Sequence, residues 1–182
     1  KLFPTSQDHK RIYANDLGPN TGGMGAYSPT PFLSEEEFQK VAISVLKPWF
    51  AGCKAEGIDY RGILYPGVML TKSGPKVLEF NARFGDPETQ VYLPRLKNDL
   101  VELLMASVEG NLRQISLEFS NSTTVCVVLA SQGYPGKYTA NKKIAGLDIV
   151  SSLPCTKVFH SGTKLAEDAI LTHGGRVLGV TA

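Results

Sequence analysis

KVLEFNARFGDPETQ, residues 76–90, sets an apolar segment directly against a run of charge. A strand interior does not need Glu79 or Asn81 for packing, so something charged has to answer them. In an extended chain alternate side chains face the same way. Glu79, Asn81 and Arg83 then share one face. Leu78 and Phe80 share the other and are expected to pack into a core. Same-face neighbours sit about 6.6 Å apart at Cα, close enough for a carboxylate and a carboxamide oxygen to converge on one hard cation such as Mg²⁺. Arg83 adds a planar guanidinium that can grip a phosphate or carboxylate with two parallel bonds. The same pattern also fits an exposed strand face whose charges are merely solvated, and E-x-N alone does not choose.

Around this stretch lies a chain of 182 residues with 42% hydrophobic residues and a formal net charge of +2. That length suggests one or two domains with an ordinary core. The charge balance gives no case for wrapping a nucleic acid. Cys53, Cys126 and Cys155 are widely spaced, with no CxxC or Cys/His cluster. Neither zinc nor a disulfide framework is indicated; a reducing, cytoplasmic compartment is expected, with the cysteines filling core space. The apolar run VCVVLA, residues 125–130, is far short of the roughly 20 residues of a membrane span. Lys1 rather than Met opens the chain and RVLGVTA closes it like a strand cut off in progress. These ends lead to the expectation of a piece of a longer protein.

Residues 1–33 read as loop-rich. Ser34 with Glu37 is a capping-box pattern, and Phe38, Val41, Ala42, Val45, Leu46, Trp49 and Phe50 follow at helical spacing. Pro48 should kink or split that helix, and Gly57 should stop it. RGILYPGVMLT and KVLEFNARF, separated by KSGP, read as two strands and a turn, with Pro66 hinting at a bulge or an edge. DPETQVYLPRLKNDLVELLMASVEG reads as two helical pieces interrupted by Pro94, the second with a face of Leu100, Leu103 and Leu104. TTVCVVLAS, TKVFHSGTKL and GRVLGVT read as short strands, and the change of pattern places a boundary near residue 116.

Three other clusters carry chemistry. QDHKR, residues 7–11, combines a possible base with cations for an anion. NTGGMGAY, residues 20–27, is rich in glycines whose amides could approach an anion as a nest. THGGRVL, residues 172–178, flanks two glycines with His173 and Arg176. Each is also compatible with a plain turn. Together they favour a nucleotide-using enzyme over a passive binder.

QDHKR, GPNTGGMGAYSP, GILYPGVMLTKSGPKVLEFNARFGDPETQ, SQGYPGKY, VFHSGT and THGGRVLGVTA occur in that order over essentially the whole chain. The combination closely resembles the phosphoribosylamine–glycine ligase family of the ATP-grasp superfamily. The resemblance implies an α+β fold: the later part of an ATP-grasp core, antiparallel sheet with helices, over residues 1–115, and a small, mainly β C-terminal domain over 116–182. It implies an ATP-dependent ligase that phosphorylates glycine to glycyl phosphate and transfers the glycyl group to 5-phosphoribosylamine, in purine biosynthesis. Glu79 and Asn81 match the family's metal pair and would hold Mg²⁺ or Mn²⁺ on ATP. Arg83 would steady the transferred phosphoryl group, with His9 and Lys10 contacting the ATP phosphates. Asn20, Thr21, Gly22, Gly23, Met24 and Gly25 would shape the substrate pocket with Asp86. Arg176, with the Gly174 and Gly175 amides, would take the sugar phosphate.

The strand before E-x-N, ILYPGVMLT, brings no acid, so Asp86, Glu88, water or the phosphates would complete the metal shell. The family's N-terminal domain and lid do not precede Lys1, so the piece alone is not expected to catalyse the full reaction. A cytoplasmic, monomeric enzyme without nucleic-acid or membrane partners is implied. Two other readings stay open: another ATP-grasp carboxylate–amine ligase, and a non-catalytic module holding a metal or a sugar phosphate.

Overall fold

The computed structural model describes residues 1–182. Its elements in chain order are strands β1 (Gln7–Asp8), β2 (Arg11–Tyr13), β3 (Leu17–Asn20) and β4 (Gly25–Ser28), helix α1 (Glu35–Ala55), and strands β5 (Tyr65–Thr71) and β6 (Gly74–Asn81). Helices α2 (Thr89–Tyr92) and α3 (Leu100–Glu109), strand β7 (Thr124–Ala130) and helix α4 (Leu147–Ser151) follow. Strands β8 (Lys157–His160), β9 (Thr163–Ala166), β10 (Ala169–Thr172) and β11 (Arg176–Thr181) complete the chain. All sheet pairings are antiparallel, in keeping with the expected α+β class. No helix is long and apolar enough to cross a membrane. The chain forms two compact units, each discontinuous in sequence.

The first unit comprises residues 1–5, 30–85 and 96–120. The capping box opens α1: Glu37 N–H donates to Ser34 Oγ at 3.3 Å, and Ser34 N–H donates to Glu37 Oε2 at 2.8 Å. Ala42 and Val45 of the apolar stripe are buried. Trp49 packs edge-on against Tyr60 at 4.8 Å and tilted against Phe80 at 6.1 Å, whereas Phe50 is 54% exposed. Pro48 does not split the helix, which continues to Ala55. Ser44, whose carbonyl loses its partner to the proline, is exposed, so water can satisfy it. Gly57, at φ +68°, follows the helix end as expected.

Strands β5 and β6 form a two-stranded ribbon turned at Lys72–Ser73. Their register shifts between Gly67 and Val68: Gly67 faces Glu79, and Val68 faces Val77. Leu78 is the extra residue of a bulge, next to the proline that hinted at one. The bulge breaks the alternation, so Leu78 does not reach a core and is 66% exposed; Phe80 is 42% exposed. In α3, Asp99 caps the first turn through Val101 and Glu102 N–H, and Gly110 at φ +80° ends it. Its buried residues are Leu103, Ala106 and Ser107 rather than Leu104, which is 36% exposed.

The second unit comprises residues 6–29, 86–95 and 121–182. Its five-stranded sheet runs β1-β4-β7-β11-β8, with β2–β3 and β9–β10 as separate ribbons. Along β7, Thr124, Cys126 and Val128 are buried while Val125, Val127 and Leu129 are exposed. Helix α2 packs on this sheet, with Val91 joining Ala26 and Cys126 in the core. As expected, Pro94 separates α2 from later helix, within a 3₁₀ turn over Leu93–Arg95. Arg95 is buried and donates to Ser28 Oγ at 2.7 Å; burial pulls its pKa below the ordinary guanidinium value. Burial pushes the Cys126 thiol up, and the Asp86 carboxylate adds to the rise. Cys126 thus fills core space, but Cys155 is exposed and does not. TKVFHSGTKL is not one strand but two, β8 and β9, in different sheets. Gly162 sits at the break, where a Cβ would collide with the Arg176 carbonyl and Gly174.

The Ser34 hydrogen bonds hold the Glu37 carboxyl below the usual carboxylate range, its backbone N–H first and its hydroxyl second. That contribution to α1 is complete above the ordinary carboxylate pKa and is lost as pH falls through the lowered value. Ser34→Ala is expected to destabilise by about 1 kcal/mol, read by thermal unfolding at pH 7. The gap to wild type should narrow in acid.

Candidate functional site

The first unit holds Glu79, Asn81 and Arg83. Beyond the bulge the ribbon is regular: Gly67 faces Glu79, Pro66 faces Phe80 and Tyr65 faces Asn81. Glu79 and Asn81 are therefore two even steps apart and share a side of the ribbon. A Cβ on Gly67 would lie 3.3 Å from Glu79 Cγ, so glycine there leaves the glutamate room. The Glu79 side chain is exposed and has no protein partner. Asn81 Nδ2 donates to Tyr65 O at 3.4 Å, which turns Oδ1 outward to accept from Arg83 Nη2 at 3.3 Å. Arg83 Nη1 donates to Phe84 O at 2.9 Å. Two hard oxygen donors on one side of a strand suit a divalent cation, with Arg83 beside them for an anion. No three His, Cys, Asp or Glu side chains converge in the structure. Glu88, named as a possible further ligand, is 1% exposed and belongs to the second unit.

The other candidates lie in the second unit. Asp8, at the end of β1, is nearly buried and its Oδ2 is ion-paired with the Lys10 ammonium. The His9 ring lies against Tyr27 at 5.7 Å. The Asn20–Gly25 loop does not present a nest of unused amides. Thr21 N–H donates to Lys10 O, Met24 N–H to His9 O, Gly23 N–H to Thr21 Oγ1 and Gly22 N–H to Tyr134 Oη. Close packing accounts for these glycines instead. Gly23, at φ +118°, leaves no room for a Cβ against Pro87, and Asp8 Oδ1 would be only 2.7 Å away.

Arg176, at the start of β11, is spent asymmetrically. Its Nη1 faces Gly22 O at 3.0 Å, Gly23 O at 3.4 Å, Asp86 O at 2.9 Å and Asp86 Oδ1 at 3.2 Å. Nε and Nη2 donate to nothing within the protein. An added Cβ on Gly22 would sit 3.0–3.2 Å from Cζ, Nε and Nη2 alike, so Gly22 packs against the guanidinium, whose Nε–Nη2 edge is open in the sense that no protein acceptor meets it. Gln90 Nε2 holds Asp86 Oδ1 at 3.0 Å. The Gly174 and Gly175 carbonyls are taken by Ser131, and their amides donate to no protein group. The open guanidinium edge and these two amides can receive an anion.

Sequence reading passed over Asp8, Gln90 and Tyr134 as site residues. Asp8 lay inside QDHKR and Tyr134 inside SQGYPGKY, both singled out as motifs. Tyr134 meets Gly22 across 112 residues, so spacing carried no signal of that pairing, whereas Lys10 and Asp86 lie close in sequence to Asp8 and Gln90.

Residues 1–89 match the family model "Phosphoribosylglycinamide synthetase, ATP-grasp (A) domain", and residues 124–182 match "Phosphoribosylglycinamide synthetase, C domain". A phosphoribosylamine–glycine ligase of Caldanaerobacter subterraneus subsp. tengcongensis is 48% identical over 98% of this chain and 42% of its own length. The human trifunctional purine biosynthetic protein adenosine-3 is 51% identical over 99% of the chain and 18% of its own. The chain thus spans less than half the length of these relatives. The crystal structure of a phosphoribosylamine–glycine ligase from Thermotoga maritima superposes with TM-score 0.81 at 32% identity, covering 99% of this chain and 44% of that one. A biotin carboxylase domain from Hydrogenobacter thermophilus shares the fold at TM-score 0.57 and 16% identity, over 88% of this chain and 34% of its own.

Gly23→Ala is expected to destabilise by about 2 kcal/mol or more, since it adds a clash to an unfavourable φ. Gly57→Ala, at positive φ but with nothing near, should cost about 1 kcal/mol. Urea denaturation of the two variants compares them directly.

Proposed function

Because the chain belongs to the phosphoribosylglycinamide synthetase family, we propose that the full-length protein is an ATP-dependent ligase joining glycine to 5-phosphoribosylamine. A glycine carboxylate oxygen takes the γ-phosphoryl group of ATP, releasing ADP. The amine nitrogen then attacks the carbonyl carbon of glycyl phosphate, phosphate leaves, and the nitrogen gives up a proton. The observation that carries this reading is the near-half identity to relatives named phosphoribosylamine–glycine ligase along almost the whole chain. The residues described above support it.

Glu79 and Asn81 would hold the divalent metal, Mg²⁺ or Mn²⁺, as oxygen ligands. Bound there, the ion would offset the negative charge of the ATP phosphates. Arg83, anchored through Phe84 O and Asn81 Oδ1, supplies a fixed cation for the transferred phosphoryl group, an electrostatic contribution arranged in advance. His9 and Lys10 serve the ATP phosphates, with Asp8 orienting the Lys10 ammonium. The Asn20–Gly25 loop and Asp86 shape the substrate pocket. The Nε–Nη2 edge of Arg176 and the amides of Gly174 and Gly175 take the sugar phosphate. The enzyme's contribution is positioning and keeping a hydrolysable acyl phosphate from water. The proposal includes a monomeric cytoplasmic protein, with the ATP-grasp portion ending near residue 116 and a C-terminal domain beyond it.

Full-length protein incubated with ATP, Mg²⁺, phosphoribosylamine and a panel of amino acids should turn over with glycine. Preference for another acid would reject the reading in favour of a different carboxylate–amine ligase. Glu79→Ala should lower the rate by about 10²-fold or more, equivalent to about 2.7 kcal/mol of transition-state stabilisation. Undiminished ATP turnover in that variant would instead indicate a non-catalytic module. Arg176→Lys keeps a positive charge but loses the fork. Its KM for phosphoribosylamine should rise about tenfold or more, while its KM for ATP stays the same.

A further inference from the structure

The two ends of the Gly22 residue are held by different side chains. Its N–H donates to Tyr134 Oη at 3.0 Å, and its carbonyl accepts from Arg176 Nη1 at 3.0 Å. Tyr134 belongs to the SQGYPGKY loop, 112 residues away in sequence. Its ring lies against Gly175, where a Cβ would collide with Cδ2. The same loop is tied to the glycine pair twice more: Ser131 N–H donates to Gly175 O and Ser131 Oγ to Gly174 O, both at 2.8 Å. The ring is therefore fixed by packing and the hydroxyl by Gly22.

A phenol oxygen that accepts one hydrogen bond still has its own proton to donate. The Tyr134 proton meets no acceptor within the protein. Arg176 likewise keeps Nε–H and Nη2–H unused, and both groups adjoin Gly22. Two unspent donors adjoin one residue, next to glycine amides that also donate to nothing. This arrangement calls for an acceptor-only ligand group with several oxygens.

We propose that Tyr134 is a substrate-binding residue whose hydroxyl donates to the phosphate group held by the open edge of Arg176. The inference rests on the ligase reading for the identity of the ligand, a sugar phosphate, but its geometry is separate from the metal-binding pair. Tyr134 also fixes the Gly22 amide, so it orders the loop and binds the ligand through one oxygen.

Tyr134→Phe in the full-length protein keeps the ring against Gly175 and removes only the hydroxyl. The KM for phosphoribosylamine, generated in the assay from ribose 5-phosphate and ammonia, should rise about tenfold, the usual scale for one lost hydrogen bond to a charged group. The KM values for ATP and glycine should stay near wild type, and the melting temperature should fall only slightly, because the exposed Gly22 N–H loses its protein acceptor to water. Calorimetric binding of ribose 5-phosphate should weaken by a similar factor, a readout that does not need turnover. Unchanged ribose 5-phosphate affinity would overturn the proposal, as would an unchanged phosphoribosylamine KM beside an active wild type. An inactive wild type that still binds ribose 5-phosphate in a Tyr134-dependent way would leave the phenol's role standing and sink the ligase reading.

Discussion

A single guanidinium nitrogen, Arg176 Nη1, has four protein oxygens within hydrogen-bonding range, three of them backbone carbonyls from two separate loops. Its two protons are shared among them. The cost of bringing so many carbonyl dipoles together is offset by the positive charge at their centre. This arrangement dictates residue choice around it. A Cβ at Gly22 would come within 3.0–3.2 Å of the guanidinium, and Gly23 must be small because Pro87 and Asp8 press on it. Neutral replacements at Arg176 would leave those oxygens facing one another without their shared donor.

The ribbon of the first unit poses a different problem. A bulge normally shifts every following side chain to the other face, because the strand period is two residues. Here the extra residue is Leu78, and the shift is complete before Glu79. Glu79 and Asn81 then keep an undisturbed two-residue step. Leu78, which gives up its place in the alternation, is exposed. The apolar pattern of the segment is thus spent on keeping the polar pair in register, and Gly67 opposite makes the room.

Local signals were legible in the sequence: the Ser34–Glu37 box, the stripe of α1, the two strands about KSGP, and the even spacing of Glu79 and Asn81. Each depends on neighbours within four residues. What was not legible depends on distant partners. The amides of the glycine loop looked available for an anion, yet they are satisfied by Lys10, His9, Thr21 and Tyr134. Arg176 was read as a ligand for phosphate without any sign that one nitrogen would be committed to Gly22, Gly23 and Asp86. The partition into two discontinuous units was equally hidden, since composition changes near residue 116 but not at residues 5, 30, 86 or 96.

The two sets of candidate residues differ in how far they are fixed beforehand, and that difference has a chemical logic. In the second unit, the loop amides of residues 21–24 are paired, and Asp86 is held by both Gln90 and Arg176. Under the ligase proposal, binding a phosphate there would cost little ordering, so more of the interaction would be available as affinity. In the first unit Glu79 has no protein partner, and the Asn81–Arg83 hydrogen bond is long at 3.3 Å. Under the ligase proposal, a carboxylate and a carboxamide oxygen this loosely tied would reach a cation without first breaking a strong bond, while Arg83 keeps its 2.9 Å hydrogen bond to Phe84 O. A recognition surface benefits from rigidity, because its ligand does not change. A phosphoryl-transfer centre works by positioning and by charges set in place beforehand, so an Arg83 anchored on Phe84 O beside two adjustable oxygen donors suits the proposed chemistry.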